Sequence, residues 1–586
     1  MESFKNLRDL LRYIEKNYDN PKALNYRVNG IWQQFSTQAF LREIKWLALG
    51  LVSLGLQKGE KVGLMALPSP KWSIADLAIM AAGGVSVPIF SNISDDNFLV
   101  EVTETKLKTI LVTSFNQCQL LIQHQNLFKT MIALDEPGQD ANHLGWQQVI
   151  DLGKKMAELE PDCFDRLLND IQDDDLATII YTSGSTGKPK GVESLQKNLF
   201  SIINSESFYW DNKTDCYLSV LPLAHVFGRA LNFFMIGWGV SIYYWNDPKS
   251  LGEICREVRP TTMVVVPRLL EKVYSQMLVQ IYKSSFIKRK IALWAFNLAH
   301  TQKDSLYKSI FKPLADKLVY SSLREALGGC LRVVISGGAH LDPSLCHFLI
   351  EIGIPIYEGW GLTEAATVAI NRPGNVKIGT VGTPLGDMKI KISPEGEILV
   401  KGSIVMHQYF LQPEETAKVL DSEGWLHTGD NGKIDSDGHL TIVGRIKDLY
   451  KTSTGEYIAP VPIEQALCKN PMIEMAMVVG EGRKFASCLL FPNFEVVENL
   501  KAAQKQSHLA TEEFLKGEFI KKGMDKTIEK INRHLNHWEQ IHAYRFILEP
   551  PTVKAGELTP SLKIRRNVIS EKYKHIIDSM YPEDKV

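Results

Sequence analysis

The amino-acid sequence predicts an α/β protein with a large layered N-terminal domain and a smaller C-terminal domain. A chain of 586 residues is too long for one hydrophobic core, so we expect at least two domains. Helical patterns alternate with short apolar segments from Phe35 to Leu134, which is typical of parallel sheets covered by helices. After Gly379 short strands and turns predominate, which indicates a small β-subdomain before the C-terminal domain.

The first part of the chain supplies the helices and strands of this layered pattern. Its N-terminus, MESFKNLRDLLRYIEKNYDN, alternates apolar and charged residues at helical spacing. Further helices are expected at Trp72–Ala82 and Asp96–Thr105, and strands at Thr109–Val112 and Met131–Leu134. This order along the chain places helices over a sheet of parallel strands.

A glycine- and hydroxyl-rich loop follows a predicted buried strand at Leu176–Tyr181. Glycines let backbone N–H groups approach an anion, and hydroxyls and an ammonium add donors, so we expect a polyphosphate-binding loop. Its residues are Thr182, Ser183, Gly184, Ser185, Thr186, Gly187 and Lys188. Because Pro189 comes next, no helix can begin where a Walker A motif requires one. A flexible surface loop is the alternative, which the preceding buried strand disfavours.

Two later strands end in loops that point the same way. Val333–Ser336 and Ile354–Tyr357 are predicted to be buried, and open α/β sheets bind ligands beyond the carboxyl ends of their strands. The residues that follow them are Gly337, Gly338 and Ala339, and then Glu358, Gly359, Trp360, Gly361, Thr363 and Glu364. The Glu364 carboxylate is an oxygen ligand suited to Mg²⁺. An ordinary helix start at Thr363 is the alternative.

Composition and charge narrow the class of protein. A net charge of −1 gives no bulk attraction to nucleic acid, and we expect no nucleic-acid partner. The cysteines are scattered without metal-ligand spacing, so we expect buried thiols in a reducing compartment. Because a signal peptide and a membrane-spanning stretch are both lacking, we expect a cytoplasmic protein. A Lys-rich helical insertion at about 275–327 allows peripheral membrane contact, although a solvated face explains it more simply.

Six segments of the chain resemble the ordered motifs of the adenylate-forming (ANL) superfamily. They are YTSGSTGKPKG (181–191), LPLAHVFGR (221–229), EGWGLTE (358–364), GWLHTGD (424–430), GRIKD (444–448) and ELTPSLK (557–563). Within that superfamily the chain is similar to the AMP-forming long-chain fatty acyl-CoA synthetases. The resemblance implies two α/β subdomains and a small β-subdomain in residues 1–446, followed by a mobile α+β domain in residues 447–586.

The resemblance also implies roles for residues of the N-terminal domain. The loop at 182–188 would bind the ATP phosphates, Thr363 would contact the α-phosphate, and Glu364 and Thr186 would hold Mg²⁺. Residues 337–339 and 358–361 would hold adenine, with Trp360 stacking on it, and Asp430 and Arg445 would hold the ribose. His225 would lie beside the acyl carboxylate, with Phe227 and Gly228 at the acyl site. For His225 the alternative is an ordinary core histidine.

In the C-terminal part, the resemblance implies that Lys563 is the catalytic lysine and Lys447 the hinge. Gly455 and Glu456 would line the site for coenzyme A. Without the preceding motifs, Lys563 would be taken for a surface lysine. The sequence departs from the family pattern at Gln196, His340, Thr454 and Leu562, of which the last replaces a glycine that long-chain members also lack.

We therefore expect ATP-dependent activation of a long-chain fatty acid to acyl-AMP and its transfer to coenzyme A, with ATP, Mg²⁺ and coenzyme A required. Transfer to an acyl carrier protein, or release of the acyl-adenylate by a fatty acyl-AMP ligase, are alternatives that keep the first step. A non-catalytic lipid- or nucleotide-binding protein on the same fold is an alternative of a different class.

Overall fold

Contacts divide the chain into two compact units, each made of several stretches. The computed structural model describes residues 3–115, 119–182, 189–205, 208–301, 306–446, 448–453, 456–560 and 562–581. The first unit comprises Met1–Ile392, Leu399–Thr428 and Ile434–Thr441, and the second Ser393–Ile398, Gly429–Lys433 and Ile442–Val586. The predicted boundary between residues 446 and 447 remains a prediction.

The strands are numbered in chain order. They are β1 (Leu24–Val28), β2 (Ile31–Phe35), β3 (Lys61–Met65), β4 (Val85–Pro88), β5 (Thr109–Val112), β6 (Thr130–Ala133), β7 (His143–Gly145), β8 (Leu176–Thr182), β9 (Lys190–Leu195), β10 (Cys216–Ser219), β11 (Ser241–Tyr244), β12 (Thr262–Val265), β13 (Val333–Ser336), β14 (Ile356–Trp360), β15 (Ala369–Ile370), β16 (Thr383–Pro384), β17 (Lys389–Ile392), β18 (Glu397–Lys401), β19 (Gln408–Tyr409), β20 (Leu426–Ile434), β21 (Leu440–Arg445), β22 (Tyr450–Lys451), β23 (Tyr457–Ile458), β24 (Ile473–Val479), β25 (Ala486–Pro492) and β26 (Ile541–Phe546).

The helices follow the same numbering. They are α1 (Leu7–Asn17), α2 (Thr37–Ser53), α3 (Pro70–Ala81), α4 (Asp95–Thr105), α5 (Gln119–His124), α6 (Trp146–Leu159), α7 (Cys163–Asp170), α8 (Gln196–Ser201), α9 (Val226–Gly237), α10 (Leu251–Val258), α11 (Pro267–Lys283), α12 (Phe286–His300), α13 (Leu306–Ala315), α14 (Ser321–Glu325), α15 (Pro343–Glu351), α16 (Pro413–Val419), α17 (Pro460–Cys468), α18 (Phe494–Ala503), α19 (Thr511–Lys516), α20 (Glu518–Asn532), α21 (Arg566–Lys572) and α22 (Lys574–Asp578). A π-helical segment at Asp316–Tyr320 joins α13 to α14.

Two large sheets form the framework of the first unit. The first has the strand order β19-β9-β8-β4-β3-β5-β6-β7, parallel from β8 to β7 and antiparallel at β8-β9-β19. The second has the order β16-β15-β14-β13-β12-β10-β11-β1-β2, parallel from β14 to β1 and antiparallel at both ends. Strand β19 reaches β9 from far along the chain, whereas the other antiparallel neighbours follow one another in sequence, and the β8-β9 and β14-β15 connections carry the predicted site.

Helices α3 and α9 lie between the two sheets. Helix α3 contacts β3 and β4 of the first sheet and β1 of the second, and all but one of its residues are buried. Because a helix that is apolar all round has no solvent face, its sequence already requires burial. Ser69 begins α3 by accepting from the Trp72 N–H, with Pro70 at the first helical position.

The second unit contains an α+β arrangement around a three-stranded sheet of order β24-β25-β26. Alternate residues of β24 and β25 face two separate apolar clusters, so the sheet is covered on both sides. One cluster includes Val478, Cys488 and Met524, and the other includes Val479, Phe491 and Ile569. A further sheet of four strands has the order β17-β18-β20-β21.

The predicted α/β class is confirmed, and most predicted elements begin and end within two residues of the observed ones. One strand was predicted too early: β14 spans Ile356–Trp360, so Glu358, Gly359 and Trp360 lie in the strand and not in the loop after it. The expectation of buried thiols is wrong for Cys330, which is exposed. Among the described residues, no helix is both long and apolar enough to cross a membrane.

Candidate active site

The predicted phosphate loop connects the two strands of a hairpin. Strands β8 and β9 are antiparallel, and Thr182 pairs directly with Lys190. The loop therefore leaves and re-enters the sheet at one point, whereas a Walker A loop leads from a strand into a helix. Thr182 is half-buried at the end of β8. The other predicted phosphate ligands, Ser183, Gly184, Ser185, Thr186, Gly187 and Lys188, lie outside the described residues.

Glu364 is held beside this hairpin by the short strand β19. The Tyr409 hydroxyl donates to Glu364 Oε1 at 2.7 Å, and the Met406 N–H donates to the Glu364 carbonyl at 2.7 Å. Tyr409 itself pairs with Val192 of β9. The Glu364 side chain is thus fixed next to the strand that follows the predicted phosphate loop. A half-buried carboxylate in this place fits a Mg²⁺ ion, which prefers one or two carboxylates together with phosphate oxygens.

Thr363 and Glu364 lie in a tight connection between β14 and β15, not at a helix start. A Cβ atom on Gly361 would come within 1.6 Å of the Ala366 carbonyl oxygen, so only glycine fits this close approach. Ala366 adopts a left-handed conformation with φ +42°. The connection therefore doubles back, which leaves Thr363 half-buried with its hydroxyl available for a phosphate.

The predicted acyl and adenine segments meet at Gly337. A Cβ atom on Gly337 would lie 3.0 Å from Phe227 Cζ and 3.1 Å from the Gly359 carbonyl oxygen. The end of β13, the first turn of α9 and strand β14 thus converge on one point. Gly337 is buried, and Gly338 and Ala339 beyond it are exposed. Gly228 packs in the same turn, since a Cβ there would approach the Pro222 carbonyl oxygen to 2.6 Å.

His225 is neither a core histidine nor a free one, because it caps helix α9. Its Nδ1 accepts from the Phe227 N–H at 3.2 Å, and its ring is half-buried with an edge contact to Phe90. With Nδ1 acting as an acceptor, the neutral ring carries its proton on Nε2. This nitrogen can then donate to a carboxylate.

Two buried polar atoms mark the edge where the predicted adenine segment lies. Ser336 of β13 and Glu358 of β14 stand opposite each other, and Ser336 Oγ and Glu358 Oε1 have no hydrogen-bond partner among the described residues. Burial raises the pKa of Glu358 to about 7. A nucleotide base carries donors and acceptors that suit such atoms, so this edge fits the predicted nucleotide. Trp360, the predicted stacking residue, is half-buried at the end of β14.

A buried ion pair connects α9 to the first sheet. The Arg229 guanidinium donates to both carboxylate oxygens of Asp76 on α3 at 2.7 and 2.8 Å, and to Thr178 Oγ1 on β8 at 2.6 Å. Ser86 of β4 also donates to Asp76, at 2.5 Å. Arg229 and Asp76 are 1% and 0% exposed. The pair thus ties the helix that begins at His225 to the strand that leads into the phosphate loop.

The predicted ribose and lysine residues come together in the second unit. Arg445 Nε lies 3.2 Å from Asp430 Oδ1, and Asp430 is buried. Lys563 is exposed as a residue, yet desolvation of its ammonium and the charge of Arg445 lower its pKa, while Asp430 and Asp448 act in the opposite direction. The charges that act on Lys563 are thus those of the predicted ribose residues, Asp430 and Arg445, together with Asp448.

Lys563 lies in a compact turn at which the sequence departs from the family pattern. The Lys563 N–H donates to Thr559 Oγ1 at 3.0 Å, and the Thr559 N–H donates to the Lys563 carbonyl at 2.8 Å. Leu562 has φ +61°, in the left-handed region that favours glycine. The glycine that family members usually have before the lysine suits this conformation, and Leu562 adopts it at a cost.

The remaining predicted residues belong to the segment after β21. Lys447, the predicted hinge, and Gly455 lie outside the described residues. Glu456 is exposed, and its N–H donates to Thr452 Oγ1 at 3.2 Å in the turn between β22 and β23. The roles of these three residues stay predictions.

Two features that shape the site were not predicted from the sequence: the Asp76–Arg229 pair and Tyr409. Arg229 and Asp76 each stand in an otherwise apolar helix, and two opposite charges in such helices are a signal for a buried pair. Tyr409 gave no signal, because its strand has two residues and pairs with β9 far away in the sequence.

Comparison with known protein families covers nearly the whole chain. A family described as AMP-binding enzyme matches residues 13–410, and the AMP-binding enzyme C-terminal domain matches residues 447–585.

Curated relatives and solved structures agree with this assignment. The chain is 32% identical to the long-chain-fatty-acid–CoA ligase FadD15 of Mycobacterium bovis, over 97% of this chain and 96% of that protein. It is 29% identical to the long-chain-fatty-acid–CoA ligase ACSBG1 of Bos taurus, over 97% and 84%. In fold it is similar to the adenylation domain of a carboxylate reductase from Mycobacterium chelonae, with a TM-score of 0.75, 20% identity, and coverage of 99% and 91%. The chain therefore belongs to the AMP-binding enzymes of the adenylate-forming superfamily.

Proposed function

We propose that this protein is an AMP-forming long-chain fatty acid–CoA ligase. The observation that carries the proposal is the position of Glu364, which Tyr409 holds against the strand after the phosphate-type loop. The acyl substrate class comes from the relatives, two of which are named long-chain-fatty-acid–CoA ligases and align over 97% of this chain.

In the first half-reaction, a carboxylate oxygen of the fatty acid attacks the α-phosphorus of ATP. The bond from this phosphorus to the pyrophosphate oxygen breaks, and acyl-adenylate and pyrophosphate form. Because the protein makes no covalent bond in this step, its contribution is positioning and stabilisation of charge.

Several side chains contribute to this positioning and stabilisation of charge. His225 Nε2 orients the fatty acid carboxylate, since Nδ1 is occupied by the Phe227 N–H. Thr363, the loop at 182–188 and the Lys563 ammonium contact the phosphates. Glu364 and Thr186 would hold Mg²⁺, which supplies positive charge that offsets the charge developing on the phosphate oxygens. Asp430 and Arg445 hold the ribose.

In the second half-reaction, the thiolate of coenzyme A attacks the carbonyl carbon of the acyl-adenylate. The bond between this carbon and the phosphate oxygen breaks, and AMP leaves with the electron pair. Gly455 and Glu456 lie on the segment that would guide the pantetheine arm. An acyl carrier protein offers the same thiol, and is the alternative acceptor.

We infer an apolar tunnel for the acyl chain that begins near Phe227 and follows α9, whose residues from Gly228 to Gly237 are all buried. Each further CH₂ group that enters this tunnel contributes about 0.8 kcal/mol, so acids of about twelve carbons or more are preferred. Because such acids partition into lipid bilayers, peripheral contact with a membrane is part of the proposal.

The test is pyrophosphate exchange into ATP, followed by AMP release, with acids of increasing chain length and with or without coenzyme A. We expect exchange to require acid and Mg²⁺, and AMP to accumulate with coenzyme A. ADP as the product, or exchange without any acid, would contradict adenylation. Equal activity on acetate would contradict the long-chain assignment, and turnover only with acyl carrier protein would change the acceptor.

A further inference from the structure

The helices after β12 carry an exposed apolar surface for which the reaction has no use. On α12 it consists of Phe286, Ile287 and Ile291, and on α13 and the π-helical segment of Ile310, Leu314 and Leu318. These six side chains are between 36% and 70% exposed. Soluble proteins usually scatter such residues singly, whereas these six lie on helices that contact each other, and a group of this kind marks an interaction surface.

Aromatic side chains join the two helices into one rigid face. Trp294 Nε1 on α12 donates to the Tyr307 hydroxyl on α13 at 3.0 Å, and both rings contact Phe311. The Tyr320 hydroxyl also donates to the Ala295 carbonyl at 2.7 Å. Ile287 and Ile291 are one turn apart, and Ile310, Leu314 and Leu318 follow each other at intervals of four residues. The exposed stripes therefore belong to packed helices.

The same helices carry cations without carboxylate partners. Neither α12 nor α13 contains an acidic residue, and in the described part of the chain Lys288, Arg289, Lys290 and Lys317 form no ion pair. Asp316, the acidic residue of the π-helical segment, is paired with Arg324. Lys290 Nζ lies 4.6 Å from the centre of the Phe286 ring. Apolar side chains together with lysines and arginines on the same helices match a lipid surface, where the cations meet anionic head groups.

The face is connected to the candidate active site through α11. This helix begins one residue after Val266, whose Cγ1 would lie 3.9 Å from a Cβ on Gly338. Its 17 residues extend about 25 Å, and Phe286 follows three residues after its end. A surface at this distance can rest on a membrane while the site stays in water.

We propose that Phe286, Ile287, Ile291, Ile310, Leu314 and Leu318, with the cations of the same helices, form a docking surface for an anionic lipid bilayer. A second copy of the chain fits less well, because a two-fold interface would oppose the same cations to each other. The inference deepens the proposed function, since the bilayer is where a long-chain acid dissolves. Docking itself requires neither ATP nor fatty acid.

The test is cosedimentation of the full chain with vesicles, without ATP, fatty acid or coenzyme A. We expect binding to vesicles of phosphatidylcholine and phosphatidylglycerol at 7:3, and much weaker binding to phosphatidylcholine alone. Raising NaCl from about 0.1 to 0.5 M should weaken the binding to anionic vesicles, because salt screens the cations.

Two variants separate the charge from the apolar contribution. Lys288→Gln/Arg289→Gln/Lys290→Gln should weaken binding to anionic vesicles by roughly a hundredfold. Ile287→Ser/Ile310→Ser/Leu314→Ser should weaken it at least roughly tenfold with all cations kept. The matched controls, Lys521→Gln/Lys522→Gln/Lys526→Gln on α20 and Leu159→Ser, remove exposed residues elsewhere and should bind like the wild type. All variants should unfold at the wild-type temperature and retain pyrophosphate exchange.

Three results would overturn the inference: no binding of the wild type to anionic vesicles, unchanged binding by both variants, or equal losses in the controls. A dimer in analytical ultracentrifugation that the serine variant abolishes, without vesicle binding, would assign the face to a second copy. Vesicle binding as expected without pyrophosphate exchange would refute the proposed function and leave the docking surface intact.

Discussion

At the scale of single residues, the site depends on groups that hold its reactive side chains in place. Glu364 lies in a tight connection without helical support, and the Tyr409 hydroxyl fixes the direction of its carboxylate. Glu358 and Leu562 each carry a local energetic cost next to a functional segment. The Glu358 carboxyl is buried with a raised pKa, and Leu562 has a left-handed backbone conformation. Such local costs are common at functional sites.

Tyr409→Phe removes only the hydroxyl that donates to Glu364. We expect pyrophosphate exchange to slow by roughly tenfold and half-saturation with Mg²⁺ to move to higher concentration, because a hydrogen bond to a charged group is lost. Exchange rates over a Mg²⁺ titration measure both effects. Tyr209→Phe, at a position 79% exposed, is the control. An unchanged Mg²⁺ dependence would show that Tyr409 does not orient the metal ligand.

Glu358→Gln should change how stability depends on pH. Burial raises the pKa of Glu358 from 4.5 to about 7, so the folded form keeps its proton while the unfolded chain releases it. The raised pKa therefore stabilises the folded wild type below about pH 4.5. As pH rises to about 7, the free energy of unfolding of the wild type falls by about 3 kcal/mol relative to that of the variant. Thermal unfolding of both proteins between pH 4.5 and 8 measures this difference. Glu395→Gln, at an exposed carboxylate, should show parallel curves.

Leu562 can be compared with glycine and valine in the turn before Lys563. At φ +61° a side chain costs about 1 kcal/mol, and a β-branched one costs more. Leu562→Gly should keep pyrophosphate exchange and unfold at or slightly above the wild-type temperature. Leu562→Val should unfold earlier and exchange more slowly, since the turn that carries Lys563 shifts. If valine and glycine behave alike, the left-handed conformation has no influence on the lysine.

At the scale of elements, several predicted catalytic residues lie on connections between antiparallel strands, and buried helices contact the strands that these connections join. The phosphate loop connects β8 to β9, the Thr363–Glu364 segment connects β14 to β15, and β19 ties the two together. Helices α3 and α9 lie between the sheets, and the Asp76–Arg229 pair joins them to β8. One buried pair therefore links the helix of the predicted acyl site to the strand before the phosphate loop.

Arg229→Met should destabilise the protein by about 3–5 kcal/mol, because it leaves the Asp76 carboxylate buried without its cation. The double variant Arg229→Met/Asp76→Asn should recover most of this loss. If the pair also positions the site, the double variant will still show a raised KM for fatty acid in pyrophosphate exchange. Thermal unfolding and exchange kinetics separate these two effects. A fully active double variant would show that the pair contributes only to stability.

The elements could be predicted from sequence where one pattern dominates. Strand β13 was predicted with its observed bounds, because three β-branched apolar residues and a serine precede a Gly-Gly turn. Strand β14 could not be placed correctly, because its last two residues pair with β15, and pairing between distant residues leaves no local pattern. The motif residues were found by resemblance, whereas Tyr409 and the Asp76–Arg229 pair depend on contacts that only the fold creates.

At the scale of the whole molecule, the proposed residues fall into two units. His225, Thr363 and Glu364 belong to the first, and Asp430, Arg445 and Lys563 to the second. If each half-reaction uses its own arrangement of the two units, a residue can serve one step and not the other.

Lys563→Ala and Lys447→Pro should separate the two half-reactions. The lysine ammonium stabilises phosphate charge only during adenylation, so Lys563→Ala should abolish pyrophosphate exchange and still convert supplied acyl-AMP to acyl-CoA. Lys447→Pro should do the reverse, since a fixed φ hinders rotation at the predicted hinge. Asp430→Ala should weaken both steps, because the ribose is held throughout. Equal loss of both steps in the two lysine variants would point to one fixed arrangement.

The smaller unit is assembled from three stretches of chain, which governs how the protein can be dissected. The polypeptide passes from one unit to the other five times before residue 443. A single protease cut after Ile446 would therefore leave 393–398 and 429–433 on the fragment that lacks most of their own unit. Either fragment made alone would expose the surfaces through which these stretches contact the rest of their own unit, and newly exposed surfaces of this kind tend to associate. Splitting or shuffling this enzyme at its apparent interdomain link would thus favour aggregation over two independent pieces.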